Sequence, residues 1–347
     1  EKRGHLVMGK AFTKQHIVPQ AYLKRFAVKR GKKYIIGTRM ASKKKDGIKF
    51  FTRSVSDVAY LENYYDTYQQ QDGKHWEHFL DKKFDILCGQ PLDNIIAKIT
   101  LSRNNADVLS KEDKEILSKI ILSQAFRVPA FLDEQLEKSE HFIKEYRNQI
   151  IESFPDILPD YKIKIQNISF DSETRKNMIL EGIFDESKFD RYCAILHHKT
   201  WIVYYNSIRN VMPFITSDNP VLFADLQDQG RQGKMTSLGI ANGKTVVLYP
   251  LTPAILIGIY APNAFFGFIQ NFDCRKITVD EMKFITNINF RSQYQSIFSW
   301  FIQLLICFIL LKSIKNFEKM TLNIIIPNIF WLPLITIPII SILITLL

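Results

Sequence analysis

The sequence predicts an α+β protein: an N-terminal β-hairpin and a helical middle packed on a mainly antiparallel C-terminal sheet, followed by a hydrophobic C-terminal membrane segment. Three observations carry this reading. Between about residues 74 and 195, apolar residues recur at the helical period. From about 198 to 299 they fall instead into short runs rich in β-branched and aromatic residues, separated by Pro, Gly and Asn. Thr321–Leu347 is 27 consecutive uncharged residues, more than the roughly 20 that span a bilayer. Residues 8–299 are expected to form one domain and 300–347 a tail with one or two membrane segments.

Each element has its own justification. Pro19 suits the first position of a helix, where no amide donor is needed, and Tyr22, Leu23 and Phe26 give that helix one apolar face. His16 sits in the extended approach to it. Strands around Lys33–Gly37 and Lys49–Thr52 flank Asp46-Gly47, a pair that favours a tight hairpin connection. Trp76, Leu80, Phe84 and Leu87 form a helical stripe, and Glu77 faces with it rather than with solvent. Ser110-Lys111-Glu112-Asp113 opens the next helix as a capping arrangement. That helix runs through Leu117, Ile120 and Ile121 and ends before Pro129.

Gln124 and Arg127 continue its apolar stripe. A buried charge is costly unless paired, so Arg127 needs a partner, and Glu77 is a candidate. Residues 131–195 read as further helices. Strands follow at Trp201–Tyr205, Phe214–Thr216, Val221–Phe223, Thr245–Tyr249 and Ile255–Tyr260, with a polar loop over Gly230–Gly243 that could cover a cleft. Asp280–Asn289 reads as a short helix leading to a strand at Tyr294–Phe298.

Charge is unevenly placed. Of a net +11, residues 1–53 hold 16 Lys/Arg against Glu1 and Asp46, which leaves the segment at +14 and the remaining 294 residues at −3. Such a segment suits a phosphate-bearing or membrane-surface partner; the plainer alternative is a solvated Lys-rich face. Cys88, Cys193, Cys274 and Cys307 are far apart with no CxxC pair, which argues against a disulfide framework and fits a reducing compartment. No apolar run near the start resembles a signal peptide. Beside the 27-residue tail, Ser296–Leu311 is a second uncharged run, and Lys312–Met320 between them carries three lysines. Either both runs cross the membrane as a hairpin, or the tail alone anchors a cytoplasmic domain to the inner membrane. The single anchor keeps the lysines cytoplasmic and is preferred.

His16-Ile17-Val18-Pro19-Gln20-Ala21-Tyr22-Leu23-Lys24-Arg25-Phe26 is similar to the His-x-x-Pro-Gln-x-Tyr-Leu-x-x-Phe opening of the uncharacterised bacterial DUF4238 family. Glu62-Asn63-Tyr64-Tyr65, the Glu77 helix, Gln124-Ala125-Phe126-Arg127-Val128-Pro129, Phe214-Ile215-Thr216-Ser217-Asp218-Asn219-Pro220-Val221 and Tyr249-Pro250-Leu251-Thr252-Pro253 follow in order, so the chain resembles that family across residues 14–299. The resemblance implies that these scattered polar positions belong to one fold. It implies no mechanism, because the family's function is unknown.

The polar residues at element ends and on apolar faces are therefore the candidate site. A histidine near neutrality can act as a general base or metal ligand, which makes His16 the first candidate. Asp218 enters a Ser-Asp-Asn-Pro turn where a carboxylate can point into a cleft. With Glu77 it would supply acid or ligand groups, and His16 and Asp218 together could hold a divalent metal that activates water. Arg127 would clamp a phosphate, and Gln20, Tyr22, Gln124 and Asn219 would bind ligand. Against this, Asp218 could simply cap its turn, His16 fix the Pro19 turn, Gln20 satisfy backbone groups, and Arg127 with Glu77 form a structural pair. No G-x-S-x-G, H-E-x-x-H or P-loop is present. The leading expectation is a metal-assisted phosphodiesterase or nuclease-like bacterial effector, of the kind used in defence, acting on nucleic acid. The alternative is a non-catalytic, membrane-anchored protein that binds a nucleotide or nucleic acid and signals.

Overall fold

A computed structural model describes residues 14–40, 49–65, 75–102, 108–210, 212–225, 239–262, 273–276 and 296–299. Twelve strands and eight α-helices lie among them. The chain opens with β1 (Lys14–His16), α1 (Gln20–Leu23), β2 (Val28–Arg30), β3 (Lys33–Met40), β4 (Lys49–Ser54) and β5 (Tyr60–Glu62). The helices α2 (His75–Lys83), α3 (Gln90–Leu101), α4 (Lys111–Arg127), α5 (Pro129–Ser153), α6 (Pro159–Gln166), α7 (Ser172–Phe184) and α8 (Glu186–His197) follow. Then come β6 (Thr200–Tyr205), β7 (Thr216–Ser217), β8 (Leu222–Asp225), β9 (Thr245–Thr252), β10 (Ile255–Tyr260), β11 (Asp273–Lys276) and β12 (Ser296–Ser299).

Local chemistry accounts for the helix ends. Ser110 accepts from the Asp113 amide while the Asp113 carboxylate accepts from the Ser110 amide, a closed capping box at the start of α4. Pro129 cannot continue α4, so Val128 turns extended and Pro129 starts α5. Leu117, Ile120, Ile121, Gln124 and Arg127 are all buried, so the polar residues do continue the stripe.

Three sheets result. β1 and β5 pair alone. A five-stranded sheet runs β11-β6-β10-β9-β8, antiparallel except where β11 joins β6. Its strand β6 is buried on both faces: Trp201 and Val203 join the main core, while Ile202 and Tyr204 join a smaller core with Leu222, Leu248 and Leu256. In the third sheet β3 pairs β2 and β4, and β12 bridges β3 to β7. The N-terminal hairpin is therefore built into a sheet with late strands, rather than standing apart from them. The two β regions share strands across the chain, which no local pattern announces.

The helix expected over Asp280–Asn289 and most of the Gly230–Gly243 loop lie outside the described residues, as does the membrane segment expected over 321–347. Among the described residues no helix is long and apolar enough to cross a membrane. Cys88 and Cys193 are free thiols.

Candidate functional site

The strand and helix at the start of the chain present two polar centres, one on each side. The first is a cleft of about 1080 Å³ between the β1–α1 junction and α2. His16, Gln20 and Tyr65 line it from one direction and Glu77, His78, Asp81, Lys82 and Asp85 from another, with Gln90 and Arg127 also contributing. Glu77 and Asp81 lie four residues apart on α2, as do His78 and Lys82, so the helix turns two pairs of titratable groups to the cleft.

Arg127 holds this region together. Its side chain is fully buried, and its guanidinium donates to Asp85 Oδ1 at 2.5 Å and Oδ2 at 3.2 Å. It also donates to the backbone carbonyls of Ile17 (2.9 Å) and His16 (3.1 Å). The Arg127 carbonyl in turn accepts from the Tyr65 hydroxyl, and Gln15 Oε1 accepts from the Tyr65 amide. Burial alone would lower the guanidinium's pKa, but the Asp85 carboxylate overrides that and holds it cationic. The carboxylate that meets Arg127 is thus Asp85, where sequence reading offered Glu77. With four N–H groups engaged inside the protein, Arg127 fixes the His16–Ile17 backbone instead of standing ready for a phosphate.

His16 is the chemically poised group. Its ring hydrogen-bonds the backbone of Ser56, and Nε2 is buried with no partner among the described residues. Burial lowers its pKa, with repulsion from Arg127 and Lys14 adding to the effect and the Ser56 bond opposing it. The neutral imidazole is therefore favoured near pH 7, with a lone pair on Nε2. Glu77 is half-buried on the same cleft.

The second centre is closed. Tyr22 Oη donates to the Pro250 carbonyl at 2.7 Å and meets Thr216 Oγ1 at 2.9 Å. Its ring stacks on Tyr249 at 5.2 Å, and Gln124 Nε2 donates to Tyr249 Oη at 2.6 Å. Burial pushes both phenols up and the Cys88 thiol to about 12, so none ionises near neutrality. Tyr22 and Gln124, expected to bind ligand, instead join α1, α4, β7 and β9 in the interior. Asp218 is 2% exposed and Asn219 partly exposed; their turn is closed by Ser217, whose Oγ accepts from the Asn219 amide and donates to its carbonyl. Neither residue lines the cleft.

Of the expected site residues, the structure therefore brings His16, Gln20, Glu77 and Arg127 to one cleft and places Tyr22, Gln124, Asp218 and Asn219 elsewhere. Among the described residues no group of three or more His, Cys, Asp or Glu side chains is disposed to hold a metal ion. His16 lines the cleft and Asp218 does not, so the two expected metal ligands do not meet there. Sequence reading missed Asp81 and Asp85. The spacing Glu77, Asp81 was the available signal for Asp81, since residues four apart share a helix face, whereas Asp85 lies beyond the end of α2.

Fold and cleft together define an α+β protein with a histidine–carboxylate cleft between its first strand and the helix at residue 75. The chain belongs to the family described as Protein of unknown function (DUF4238), whose model matches residues 14–306. No curated protein and no solved structure matches it.

Proposed function

We propose that the protein hydrolyses phosphodiester bonds in nucleic acid, with His16 as general base. The observation that carries this reading is a neutral imidazole, anchored through the Ser56 backbone, on a residue that lines a polar cleft, with its buried Nε2 unpartnered among the described residues. Nε2 would take a proton from water as the water oxygen attacks phosphorus. The bond from phosphorus to the leaving oxygen breaks, and the imidazolium returns the proton to that oxygen, giving a monoester and an alcohol. Glu77 and Asp81 would stabilise the transient imidazolium. Two carboxylates raise the cost of binding a phosphate; Lys82 on the cleft offsets part of it, and exposed Lys29, Arg30, Lys32 and Lys33 on the β2–β3 hairpin that α1 leads into would steer nucleic acid.

The test is cleavage of end-labelled DNA and RNA by the purified chain, with and without Mg²⁺ or Mn²⁺. His16→Ala is expected to lose about 10²–10⁴-fold in rate. In the wild type the rate should climb with pH along an acid limb centred below the ordinary histidine value of 6.5. Intact nucleic acid under all conditions, or an unaltered rate in His16→Ala, sinks the proposal. Saturable binding without turnover would favour the non-catalytic alternative.

A further inference from the structure

Helix α7 does not line the cleft, yet it is bonded to both of the segments that do. Arg175, Lys176 and Asn177 are consecutive, so their side chains leave the helix about 100° apart and reach three different parts of the chain. Arg175 donates to the Leu136 carbonyl at 3.2 Å and fixes α7 to α5. Lys176 Nζ donates to the Tyr64 carbonyl at 2.7 Å and lies 4.4 Å from the centre of the Tyr64 ring. Asn177 Oδ1 accepts from Trp76 Nε1 at 2.8 Å, and its Nδ2 donates to Glu181 at 2.7 Å. Tyr64 and Trp76 each stand one residue before a group that lines the cleft, Tyr65 in the first case and Glu77 in the second. The Tyr65 amide in turn donates to Gln15 Oε1, on the residue next to His16.

We infer, on the reading of this cleft as the functional site, that Lys176 and Asn177 are positioning residues through which α7 sets the separation of the Tyr65 and α2 walls, and so the access of water to His16. Asn177 is 4% exposed. A buried carboxamide costs stability unless it is bonded, and an apolar side chain would fill the space without that demand. What the amide adds is a directional tie to the Trp76 indole. Lys176 adds the matching tie on the other wall, where a hydrogen bond and a cation over the ring act on the same tyrosine.

The test is the titration of His16 in the full chain, followed by NMR with carbon-13-labelled histidines; the His16 signal is the one that His16→Gln removes. In Lys176→Met and in Trp76→Phe the midpoint is expected to rise from its wild-type value toward 6.5, as the loosened walls rehydrate the ring. Trp76→Phe changes no charge, and Arg127, Lys14 and Asp57, the charges that act on His16, are intact in both variants. Lys176→Arg, which keeps a donor and a cation, should titrate as the wild type, and so should Met178→Ala, an exposed position on the same helix. Circular dichroism establishes that each variant is folded, and the partly exposed Lys176 keeps the test open if the buried Trp76 does not tolerate change. An unmoved midpoint in either folded variant overturns the inference, as does an equal shift in Met178→Ala. Cleavage is scored separately. A shifted midpoint in a chain that leaves nucleic acid intact supports the α7 clamp and sinks the phosphodiester reading, whereas cleavage with an unmoved midpoint does the reverse.

Discussion

Removing the charge of Asp85 leaves the buried Arg127 guanidinium with the Ile17 and His16 carbonyls but without a counter-charge. Breaking one side of such a pair costs about 3–5 kcal/mol, so Asp85→Asn should shift the urea midpoint sharply downward, whereas Glu77→Gln, half-buried, should stay within about 0.5 kcal/mol. If the two variants unfold alike, Arg127 does not depend on Asp85 in the way its hydrogen bonds imply. His16 gives a pH test at the same scale. Burial lowers its folded pKa below the unfolded 6.5, so between those values the unfolded chain binds more protons. Its contribution is fully present above about pH 6.5 and is lost as pH falls toward the folded value. His16→Gln should therefore flatten the acid side of the stability curve; a curve that keeps the wild-type slope places the titration elsewhere. Residues that interrupt apolar stripes were legible in the sequence, because burying Gln124 or Arg127 without company is expensive. Their partners were not. Asp85 lies just past the end of α2, where the helical period that would have placed it gives way to a tight 3-10 turn.

At the scale of single elements, the strands with the strongest local pattern form where their β-branched and aromatic runs place them. The three-residue strands β1, β2 and β5 carry too little pattern to be read. Position 258 in the middle of β10 shows what packing adds. A Cβ there would come within 2.8 Å of ring atoms of both Tyr204 and Tyr260, whose hydroxyls hydrogen-bond each other at 2.5 Å. The rings lean over the bare backbone, and the strand has glycine where its neighbours are Ile257 and Ile259. Gly258→Ala must part the two tyrosines, at about 1–3 kcal/mol, measured as a lower denaturant midpoint. Tyr260→Ala made in the Gly258→Ala background should lose less than Tyr260→Ala alone, because it removes the clash. Additive losses would show that the methyl is accommodated without moving that ring.

For the whole molecule, the deciding contact is β12. Its Ile297 pairs with Arg39 of β3 on one edge and Ser217 of β7 on the other, so a late strand ties the N-terminal hairpin strands to the turn that carries Asp218. Pairings between opposite ends of a chain leave no periodic trace in a single sequence, and this explains why the hairpin read as packed on the C-terminal sheet and not as paired with a late strand. The tie continues inward: Thr216 Oγ1 meets Tyr22 Oη, and Tyr22 lies two residues past Gln20, which lines the cleft. Proline at 297 removes a ladder donor from a strand with partners on both edges. Leaving such a group unmatched costs about 1–3 kcal/mol. Ile297→Pro should therefore speed amide exchange at Thr216–Ser217 and at Gly37–Met40 together, and reduce any activity that depends on His16, while Ile297→Val, which keeps the amide, should do neither. Faster exchange in only one of the two segments would show that β12 does not couple them, and the cleft would then owe its geometry to the Arg127 clamp alone.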